Sequence, residues 1–315
     1  MKQTKAQKHQ AALEAALTAA RRALPEAPRK LPRCRPVALS DRLVLYCVGD
    51  MHVGMLAQGA ETGQGKASNW DLAIAELSHE TALASLLEHT PPDASAILMF
   101  AGDNCHVDSH ANETPRSGHQ LDVDARFPVV LDTLFRLGNR MLRMVADHHG
   151  AARTGCYVVA GNHDASVSAA LRLFLVGMNP DIAVSRSQSA YHALRFGKTF
   201  MGFAHGHLAK PAAMPGVFAA DFSASWGATE TRRIYHGHIH SRQVTEARGC
   251  SVESLATLAP PDQYAADGGW RSERAMIAVE FDQAAGEVGR YRYELTKERA
   301  AQIVAACGGQ SRRKG

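Results

Sequence analysis

The sequence predicts an α/β domain preceded by a basic helical arm. Short apolar runs of strand-forming residues alternate with longer segments of helical periodicity along residues 42–300. Five of these runs lead directly into short motifs of Gly, Asp, Asn and His. The alternation is typical of a sheet whose faces are covered by helices, with the functional residues in the loops that follow the strands.

The first 36 residues predict a helical arm and a Pro-rich linker. Residues 4–24 are rich in Ala and Leu and contain few turn-forming residues, which favours a helix. Four prolines between residues 25 and 36 then interrupt regular structure, so we place the domain boundary near residue 37. The main domain is predicted over 37–300, and residues 301–315 are predicted to form a short helix end and a basic tail.

The elements of the main domain are predicted from their periodicity. Long amphipathic segments predict helices over about 68–89 and 127–149. Apolar or alternating runs predict strands, and a turn at 283–287 joins the last two of them. The predicted strands are 42–48, 96–101, 156–160, 191–196, 199–205, 232–237, 276–281 and 289–295.

Composition excludes several classes of protein. The chain has 315 residues, of which 45% are hydrophobic, enough to bury a sizeable core. It contains no apolar run near the ~18 residues that a membrane span needs and no signal-peptide pattern at its start, which predicts a soluble protein in the cytoplasm of a bacterial host cell, with no membrane partner. The six cysteines form no C-x-x-C pair, which argues against a disulfide framework and a thiolate zinc site.

The charge is distributed unevenly along the chain. The net charge of +4 combines +7 in residues 1–36, +3 in the last six residues and −6 in between. An acidic body attracts divalent cations, whereas basic ends favour polyanions. The basic ends therefore favour nucleic acid over small nucleotides as the partner.

Five motifs follow predicted strands and supply oxygen and nitrogen ligands. A single Asp or His after a strand is commonly a turn former. Five in succession, several with the i, i+2 spacing that places two side chains on one side of an extended segment, indicate a metal site. The motifs are Gly49-Asp50-Met51-His52, Gly102-Asp103-Asn104-Cys105-His106, Gly161-Asn162-His163-Asp164, His205-Gly206-His207 and Gly237-His238-Ile239-His240.

In this order the motifs resemble those of the calcineurin-like metallophosphoesterases, over residues 42–258. The resemblance implies a four-layer α/β/β/α sandwich with two divalent metal ions at one edge. It implies that Asp103 bridges the two ions and that the remaining ligands divide into two groups. These are Asp50, His52 and His240 for the first ion, and Asn162, His205 and His238 for the second.

The resemblance also assigns a catalytic role to His163, which would face the substrate phosphate and protonate the leaving oxygen while Asp164 orients its ring. Two ions about 3.5 to 4 Å apart clamp a phosphoryl group and lower the pKa of a bound water toward ~7, so that hydroxide can attack phosphorus in line. Oxygen and nitrogen ligands without thiolate suit Mn²⁺, Fe or Zn²⁺ better than Cu(I) and do not choose between them. The expected cofactor is two divalent ions, Mn²⁺ first, with Fe, Zn²⁺ or Mg²⁺ as alternatives. Proton donation by His163 would contribute ~10²- to 10⁴-fold.

His106 narrows the expected substrate class. A histidine three residues after the bridging aspartate resembles the pattern of Mre11/SbcD-type DNA exonucleases, whereas protein phosphatases of the superfamily read G-D-x-x-D-R-G. We expect His106 to lie behind a metal ligand or to contact the substrate, the alternative being a loop cap. About 75 residues follow His240, which argues against a Rad50-type ATPase partner.

A polar segment over 104–128 is predicted to form a loop at the mouth of the site. Its stretch TPRSGHQLDVD, like GKASNWDLAIAE at 65–76, is similar to phage-encoded phosphoesterases. Trp226 and Trp270 would stack bases or fill apolar contacts. Four further side chains are candidates for substrate binding: Arg116, His119, His207 and Lys210. The alternative for Arg116, His119 and Lys210 is a solvated position, and for His207, which replaces an acidic residue of the phage relatives, it is a change in metal preference or no effect.

The sequence therefore predicts a metal-dependent phosphodiesterase, with a phage-type DNA nuclease favoured. A small-molecule or cyclic-nucleotide phosphodiesterase or pyrophosphatase is the alternative. A non-catalytic scaffold of the same fold would not need a complete ligand set. A homodimer through the N-terminal helix stays open, although that helix has few large apolar residues.

Overall fold

The computed structural model describes residues 36–115 and 117–311. The predicted helical arm, the basic tail and Arg116 lie outside these residues. In the part that is described, two β-sheets pack face to face and helices cover their outer faces. The predicted four-layer α/β/β/α sandwich is confirmed.

The first sheet has six strands in the order β11-β10-β1-β2-β3-β4. The neighbours from β1 to β4 are parallel, and β10 and β11 continue the sheet in antiparallel pairing. Its strands are β1 (Arg42–Val48), β2 (Ser95–Phe100), β3 (Thr154–Val158), β4 (Ala183–Val184), β10 (Ala275–Asp282) and β11 (Gly286–Glu294).

The second sheet has five strands in the order β5-β6-β7-β9-β8. Its central pairs, β6 with β7 and β7 with β9, are parallel. The carboxyl ends of β6 and β7 therefore lie side by side. Its strands are β5 (Tyr191–Phe196), β6 (Thr199–Ala204), β7 (Thr231–His236), β8 (Gln243–Ala247) and β9 (Cys250–Ser254).

Helices cover the outer face of each sheet. Three 3₁₀ turns, over Lys66–Ser68, Ala151–Arg153 and Pro211–Ala213, accompany the α-helices of the described residues. These helices are α1 (Leu72–His89), α2 (Phe127–His149), α3 (Ala165–Met178), α4 (Met214–Asp221), α5 (Ser223–Gly227), α6 (Gln263–Asp267) and α7 (Lys297–Ser311).

The layers follow from the period-2 alternation of the strands. In β1, Leu43 and Leu45 point into the core between the sheets, whereas Val44 and Tyr46 point into the core under the helices of the first sheet. All four side chains are fully buried, as expected of a central strand covered on both faces. A third apolar cluster packs α4 against the outer face of the second sheet.

Two helix boundaries show how local sequence determines the ends of elements. Helix α1 begins at Leu72, four residues after the predicted start, because the Asp71 carboxylate accepts a hydrogen bond of 2.8 Å from the Ile74 amide and caps the helix there. Helix α2 begins and ends as predicted. Pro128 occupies its first turn, and Gly150 terminates it with a φ of 89°.

The cysteines and the helices test two classes that composition excluded, a disulfide framework and a membrane-spanning protein. Cys47, Cys105, Cys156 and Cys250 are buried as free thiols, and Cys307 is half-buried and also free. The described cysteines therefore serve as small apolar residues, as predicted. Over the same residues, the helices are too short or too polar to cross a bilayer.

His79, on the buried face of α1, predicts a loss of stability in acid. Burial lowers the pKa of His79 from its ordinary 6.5 to about 4. Between these values the unfolded chain takes up a proton that the folded chain does not, so the free energy of unfolding falls as the pH drops from 6.5 to 4, by up to ~3 kcal/mol. His79→Gln should flatten this part of the profile in urea unfolding. An unchanged slope in His79→Gln, or an equal change in the exposed control His89→Gln, would contradict the assignment.

Candidate metal centre

The predicted ligands lie together at one edge of the sandwich. The loops that follow the parallel strands β1, β2 and β3 carry Asp50, Asp103 and Asn162, so these residues share one edge of the first sheet. The parallel strands β6 and β7 end in His205 and His238 in the facing sheet. Because the sheets are packed face to face, the two sets of loops meet.

The first group of ligands is Asp50, His52 and His240. Their ligand atoms all lie within 4.8 Å of one another. His240 Nε2 lies 2.9 Å from Asp50 Oδ2 and 3.1 Å from His52 Nε2. Asp50 and His52 are buried, whereas the side chain of His240 is 36% exposed, so the group opens toward solvent on one side.

The second group is Asp103, His205 and His238, whose ligand atoms also lie within 4.8 Å of one another. His205 Nε2 lies 3.2 Å from Asp103 Oδ2 and 3.0 Å from Asn162 Oδ1, which brings the predicted amide ligand into the same group. The structure thus assembles all seven predicted ligands in the two predicted sets.

The hydrogen bonds of His205 leave its Nε2 atom available to bind a cation. Its Nδ1 lies 2.9 Å from the carbonyl oxygen of Ala101, which can only accept, so Nδ1 carries the proton. In the neutral ring Nε2 is then a lone-pair donor that faces two oxygens, those of Asp103 and Asn162. A histidine held through one nitrogen while the other converges with oxygen atoms is the usual arrangement of a metal ligand.

The electrostatics of the site also favour a cation. Burial lowers the pKa of His205, but the Asp103 and Asp50 carboxylates raise it more, to about 10. His52, which has three imidazoles and one carboxylate around it, has a pKa well below its usual range because of burial and the neighbouring His240 and His163. The site therefore holds positive charge between the carboxylates and keeps His52 neutral, as a metal ligand must be.

Backbone strain is concentrated at the same residues. In the described residues, six non-glycine residues have a positive φ, and four of them are predicted ligands. Such conformations persist where the surrounding structure enforces them, and they are common at functional sites. The four are His52 (44°), Asp103 (46°), His238 (73°) and His240 (58°).

Two glycines allow the ligand loops to approach each other. A Cβ atom at Gly161 would collide with the Asp103 carboxylate, and one at Gly237 would collide with the Asp50 carboxylate. Both glycines precede ligand residues in the G-N-H-D and G-H-x-H motifs. The motif glycines are thus required because no side chain fits beside the carboxylates.

His163 lines the open side of the site. Its amide donates to Asp103 Oδ1 at 2.8 Å, and its ring Nδ1 donates to the carbonyl oxygen of His106 at 3.0 Å. With Nδ1 fixed in this way, Nε2 is the nitrogen that is free to serve a substrate. The His163 and His52 rings stand edge to face with centroids 5.1 Å apart.

His106 lies behind the site. It is 1% exposed, its Nδ1 lies 3.2 Å from His52 Nδ1, and its ring stacks on that of His163 with centroids 5.6 Å apart. Burial, followed by the neighbouring His163, lowers the pKa of His106 to about 3. Of the predicted roles, the position behind a metal ligand fits this geometry, and direct contact with substrate does not.

The predicted role of Asp164 as the residue that orients the His163 ring is wrong. Its fully buried carboxylate accepts hydrogen bonds from the amides of Asn104, Cys105 and Gly161 and from the Ser168 hydroxyl, at 2.7 to 3.1 Å. It therefore joins the loop after β2 to the loop after β3. Asp164 holds the backbone that carries two ligands and does not reach the substrate.

Removing this carboxylate should destabilise the protein. Asp164→Ala leaves three buried amide groups without an acceptor, each at a cost of about 1–3 kcal/mol. We expect the free energy of unfolding to fall by several kcal/mol and the metal affinity to fall with it, which urea unfolding and calorimetric titration with Mn²⁺ would measure. Asp108→Ala, which removes a carboxylate that accepts from the amides of Ser166 and Val167 at an exposed helix start, is the matched control. An equal effect of the two substitutions would contradict the role of Asp164.

The layers and strand order establish the architecture independently of any relative. The fold is a four-layer α/β/β/α sandwich, with one six-stranded and one five-stranded sheet. No family model and no curated protein matches the sequence. Vps29 from Entamoeba histolytica, solved with zinc, is a similar solved structure with 11% identity and a TM-score of 0.33, covering 80% of this chain and 99% of that chain.

Two further solved structures are similar to this chain. An archaeal phosphodiesterase is 11% identical, with a TM-score of 0.38, over 80% of this chain and 99% of that chain. A predicted phosphoesterase from Streptococcus pneumoniae is 10% identical, with a TM-score of 0.30, over 80% of this chain and 98% of that chain. Similarity at this level transfers no activity, partner or residue role.

A cleft of about 1190 Å³ opens over the ligand groups. One wall is the predicted loop, from Thr114 to Asp122, and the other is a segment over 259–274 that includes α6. His52, Asp103 and His163 lie in its floor. The position of the loop at the mouth of the site is as predicted.

The predicted substrate-binding residues have different positions. His119 is exposed and lines the cleft. Lys210 is exposed at the start of a 3₁₀ turn and does not line the cleft, which corrects its predicted role. His207 is half-buried, with its ring 5.2 Å from that of His205, also outside the cleft lining. Arg116 lies outside the described residues.

The two candidate tryptophans also differ. Trp226 packs on Phe200 with ring centroids 5.1 Å apart, and the Arg232 guanidinium lies 5.0 Å from the Trp226 ring centroid. Trp226 therefore fills an apolar contact, which was the alternative to base stacking. Trp270 is 57% exposed and lines the cleft. Tyr264 and Arg274 line the same wall and were not predicted as site residues. Their only signal was an aromatic and basic composition after the last histidine motif.

Proposed function

We propose that the protein is a phosphodiesterase that uses two divalent metal ions and acts on nucleic acid, with DNA favoured. The observation that supports this proposal most directly is that seven oxygen and nitrogen ligands converge, in two groups, on the floor of an open cleft. His163 lines the same cleft. Paired ligand groups of this kind are typical of enzymes that transfer or hydrolyse phosphoryl groups.

Each residue has a separate task in this proposal. Two divalent cations, when bound, would supply Lewis acidity to the phosphoryl oxygens and acidify a water molecule. Asp103 would lie between them because it contacts His205 directly and its backbone pairs with His52. His163 would deliver a proton from Nε2 to the leaving oxygen, since its Nδ1 is committed to the carbonyl of His106.

The preference for a polyanionic substrate rests on the chain ends and on the cleft. The +7 charge of residues 1–36 favours phosphate backbones through counterion release. A cleft of about 1190 Å³ that is open on one side has room for more than one nucleotide.

A nucleotide-sized phosphodiester is the second candidate, because acidic side chains line the outer cleft and would repel an extended backbone. These are Asp122, Asp262, Asp267 and Glu273. Like charges at these positions raise the energy of each additional phosphate. A short substrate would leave them in water.

Cleavage of labelled nucleic acids in Mn²⁺ separates the candidates. We expect cleavage of single- or double-stranded DNA, with circular and end-labelled linear forms distinguishing internal from terminal attack. Matched RNA and cyclic AMP are the comparison substrates. Cleavage of cyclic AMP alone would replace the nuclease by the small-molecule enzyme, and absence of hydrolysis of every phosphodiester, including bis-p-nitrophenyl phosphate, would contradict both.

A further inference from the structure

Two exposed aromatic side chains stand on one wall of the cleft. Tyr264 is 64% exposed and Trp270 is 57% exposed, and both line the cleft over the ligand groups. In the described part of the chain they are the only aromatic members of the exposed large hydrophobic residues. Their rings stand edge to face with centroids 5.5 Å apart. Contiguous exposed apolar surface of this kind is typical of ligand-binding grooves.

The local backbone holds this pair in place. The Asp262 carboxylate caps α6 by accepting from the Ala265 amide at 2.8 Å. The Trp270 amide donates to the carbonyl of Ala265 at 3.0 Å, across a turn in which Gly269 has a φ of 72°. The two rings are therefore presented by a hydrogen-bonded helix and turn, which limits the conformational freedom that a ligand would have to freeze.

The opposite wall adds a third flat ring. The His119 ring has its centroid 5.8 Å from that of Tyr264, with an angle of 31° between the planes. His119 belongs to the loop after β2 and Tyr264 to α6, so the two walls of the cleft come together through their rings. His119 and Tyr264 contact each other at this separation, so a planar group would stack on the outer faces of the three rings, and the slot for it is the adjoining cleft.

Arg274 provides an independent indication of the ligand's charge. This side chain lies at the end of the same wall, is half-buried with its Nη2 atom fully buried, and donates hydrogen bonds to the carbonyl oxygens of Leu258 and Ala67. Its Nη2 has no hydrogen-bond partner among the described residues, and no carboxylate there forms an ion pair with it. Burial lowers the pKa of Arg274 to about 10, so it is charged at neutral pH. An unneutralised buried cation stabilises an anion that enters the cleft.

We propose that Tyr264, Trp270 and His119 form a subsite that stacks a nucleobase of the substrate. The inference rests on the proposed function, because the scissile phosphate would lie over the ligand groups. A nucleotide carries both the planar ring that the slot fits and the negative charge that Arg274 favours. Stacking accepts every base, so the subsite would select nucleotides as a class without selecting sequence.

Fluorescence titration tests the subsite without catalysis. We expect thymidine 5′-monophosphate in Mg²⁺ buffer to quench the emission of Trp270, the exposed tryptophan, while Trp70, which is 1% exposed, is unaffected. Trp270→Phe should lose the quenching, and Tyr264→Ala should weaken the apparent affinity by about 5- to 150-fold. Leu173→Ala removes an equally exposed apolar side chain that does not line the cleft and should behave as wild type. Absence of quenching in the wild type, or equal quenching in Trp270→Phe, would overturn the subsite.

Paired substrates with the same leaving group test its role in turnover. The probes are thymidine 5′-(p-nitrophenyl phosphate) and methyl p-nitrophenyl phosphate, which lacks a base. Trp270→Ala should lower the ratio of kcat/KM for the first to kcat/KM for the second by about 5- to 150-fold, and Trp270→Phe should restore most of it. An unchanged ratio in Trp270→Ala would overturn the subsite alone. Hydrolysis of neither probe by the wild type would overturn the proposed function, and the titration would then decide the subsite by itself.

Discussion

Replacing Asp103 by Asn is expected to lower kcat/KM for phosphodiester hydrolysis by about 10³-fold or more. The substitution keeps the shape of a side chain that is 1% exposed but removes the carboxylate charge that lies beside His205 and His238 and that we propose both metal ions share. Losing ~4 kcal/mol of charge stabilisation at a two-metal site corresponds to this factor. Steady-state kinetics in Mn²⁺, together with calorimetric titration of Mn²⁺, would measure the effect on activity and on metal affinity.

The control for Asp103→Asn is Asp147→Asn, the same change at an exposed position on α2. It should leave both activity and metal affinity at the wild-type level. Circular dichroism would establish that Asp103→Asn is folded. A folded Asp103→Asn that hydrolyses phosphodiesters at the wild-type rate would contradict the assignment of Asp103 as the shared ligand.

His163→Gln is expected to lower kcat by ~10²- to 10⁴-fold, the usual contribution of a positioned proton donor. His163 lines the cleft, and its Nδ1 is held by the carbonyl of His106, so the ring supplies its remaining nitrogen to the substrate. Because His163 lies outside the two predicted ligand groups, the amount of metal bound per chain should not change. Rapid-quench kinetics under single-turnover conditions would measure the step directly.

The effect should also depend on the leaving group. A p-nitrophenolate leaves without a proton, so His163→Gln should impair the hydrolysis of p-nitrophenyl esters less than that of DNA. His89→Gln, an exposed histidine on α1, is the matched control. Equal activity of His163→Gln and wild type on DNA would contradict the role of His163.

Most strands of the first sheet could be predicted because burial on both faces makes them continuous apolar runs. The strand Arg42–Val48 is observed with the predicted bounds, since a charged residue precedes its apolar run and Gly-Asp follows it. The helix Phe127–His149 was equally clear, because its apolar residues keep one face over six turns and Pro128 and Gly150 mark its ends.

Elements whose sequence lacks such signals were missed. Helix α3 (Ala165–Met178) follows G-N-H-D without a side-chain cap, and its apolar residues surround most of its circumference, so periodicity does not distinguish it from a strand and loop. The hairpin of β8 and β9 has a half-exposed, largely polar first strand that gives a weak alternation. The wall over 259–274 owes its shape to hydrogen bonds within it and to its place beside the cleft.

The five motifs could be predicted to lie together because they follow strands, and parallel strands place their carboxyl ends at one edge, whereas the identity of the seven ligands came from the resemblance to the metallophosphoesterases. The role of Asp164 could not be predicted in the same way. It is adjacent to His163 in sequence, but its carboxylate turns inward to three amides of two loops, a tertiary arrangement that no local pattern encodes. His106 likewise required the structure, because burial decides between contact with substrate and support of His52.

The central claim is that two metal ions bound by the seven ligands make the protein a phosphodiesterase. The most direct measurement is the hydrolysis of bis-p-nitrophenyl phosphate by protein stripped of metal with a chelator and then titrated with Mn²⁺, with bound metal measured in the same samples. We expect no hydrolysis without metal and a rate that saturates at two ions per chain. Hydrolysis that persists in the stripped protein, or two bound ions without hydrolysis of any phosphodiester, would contradict the claim.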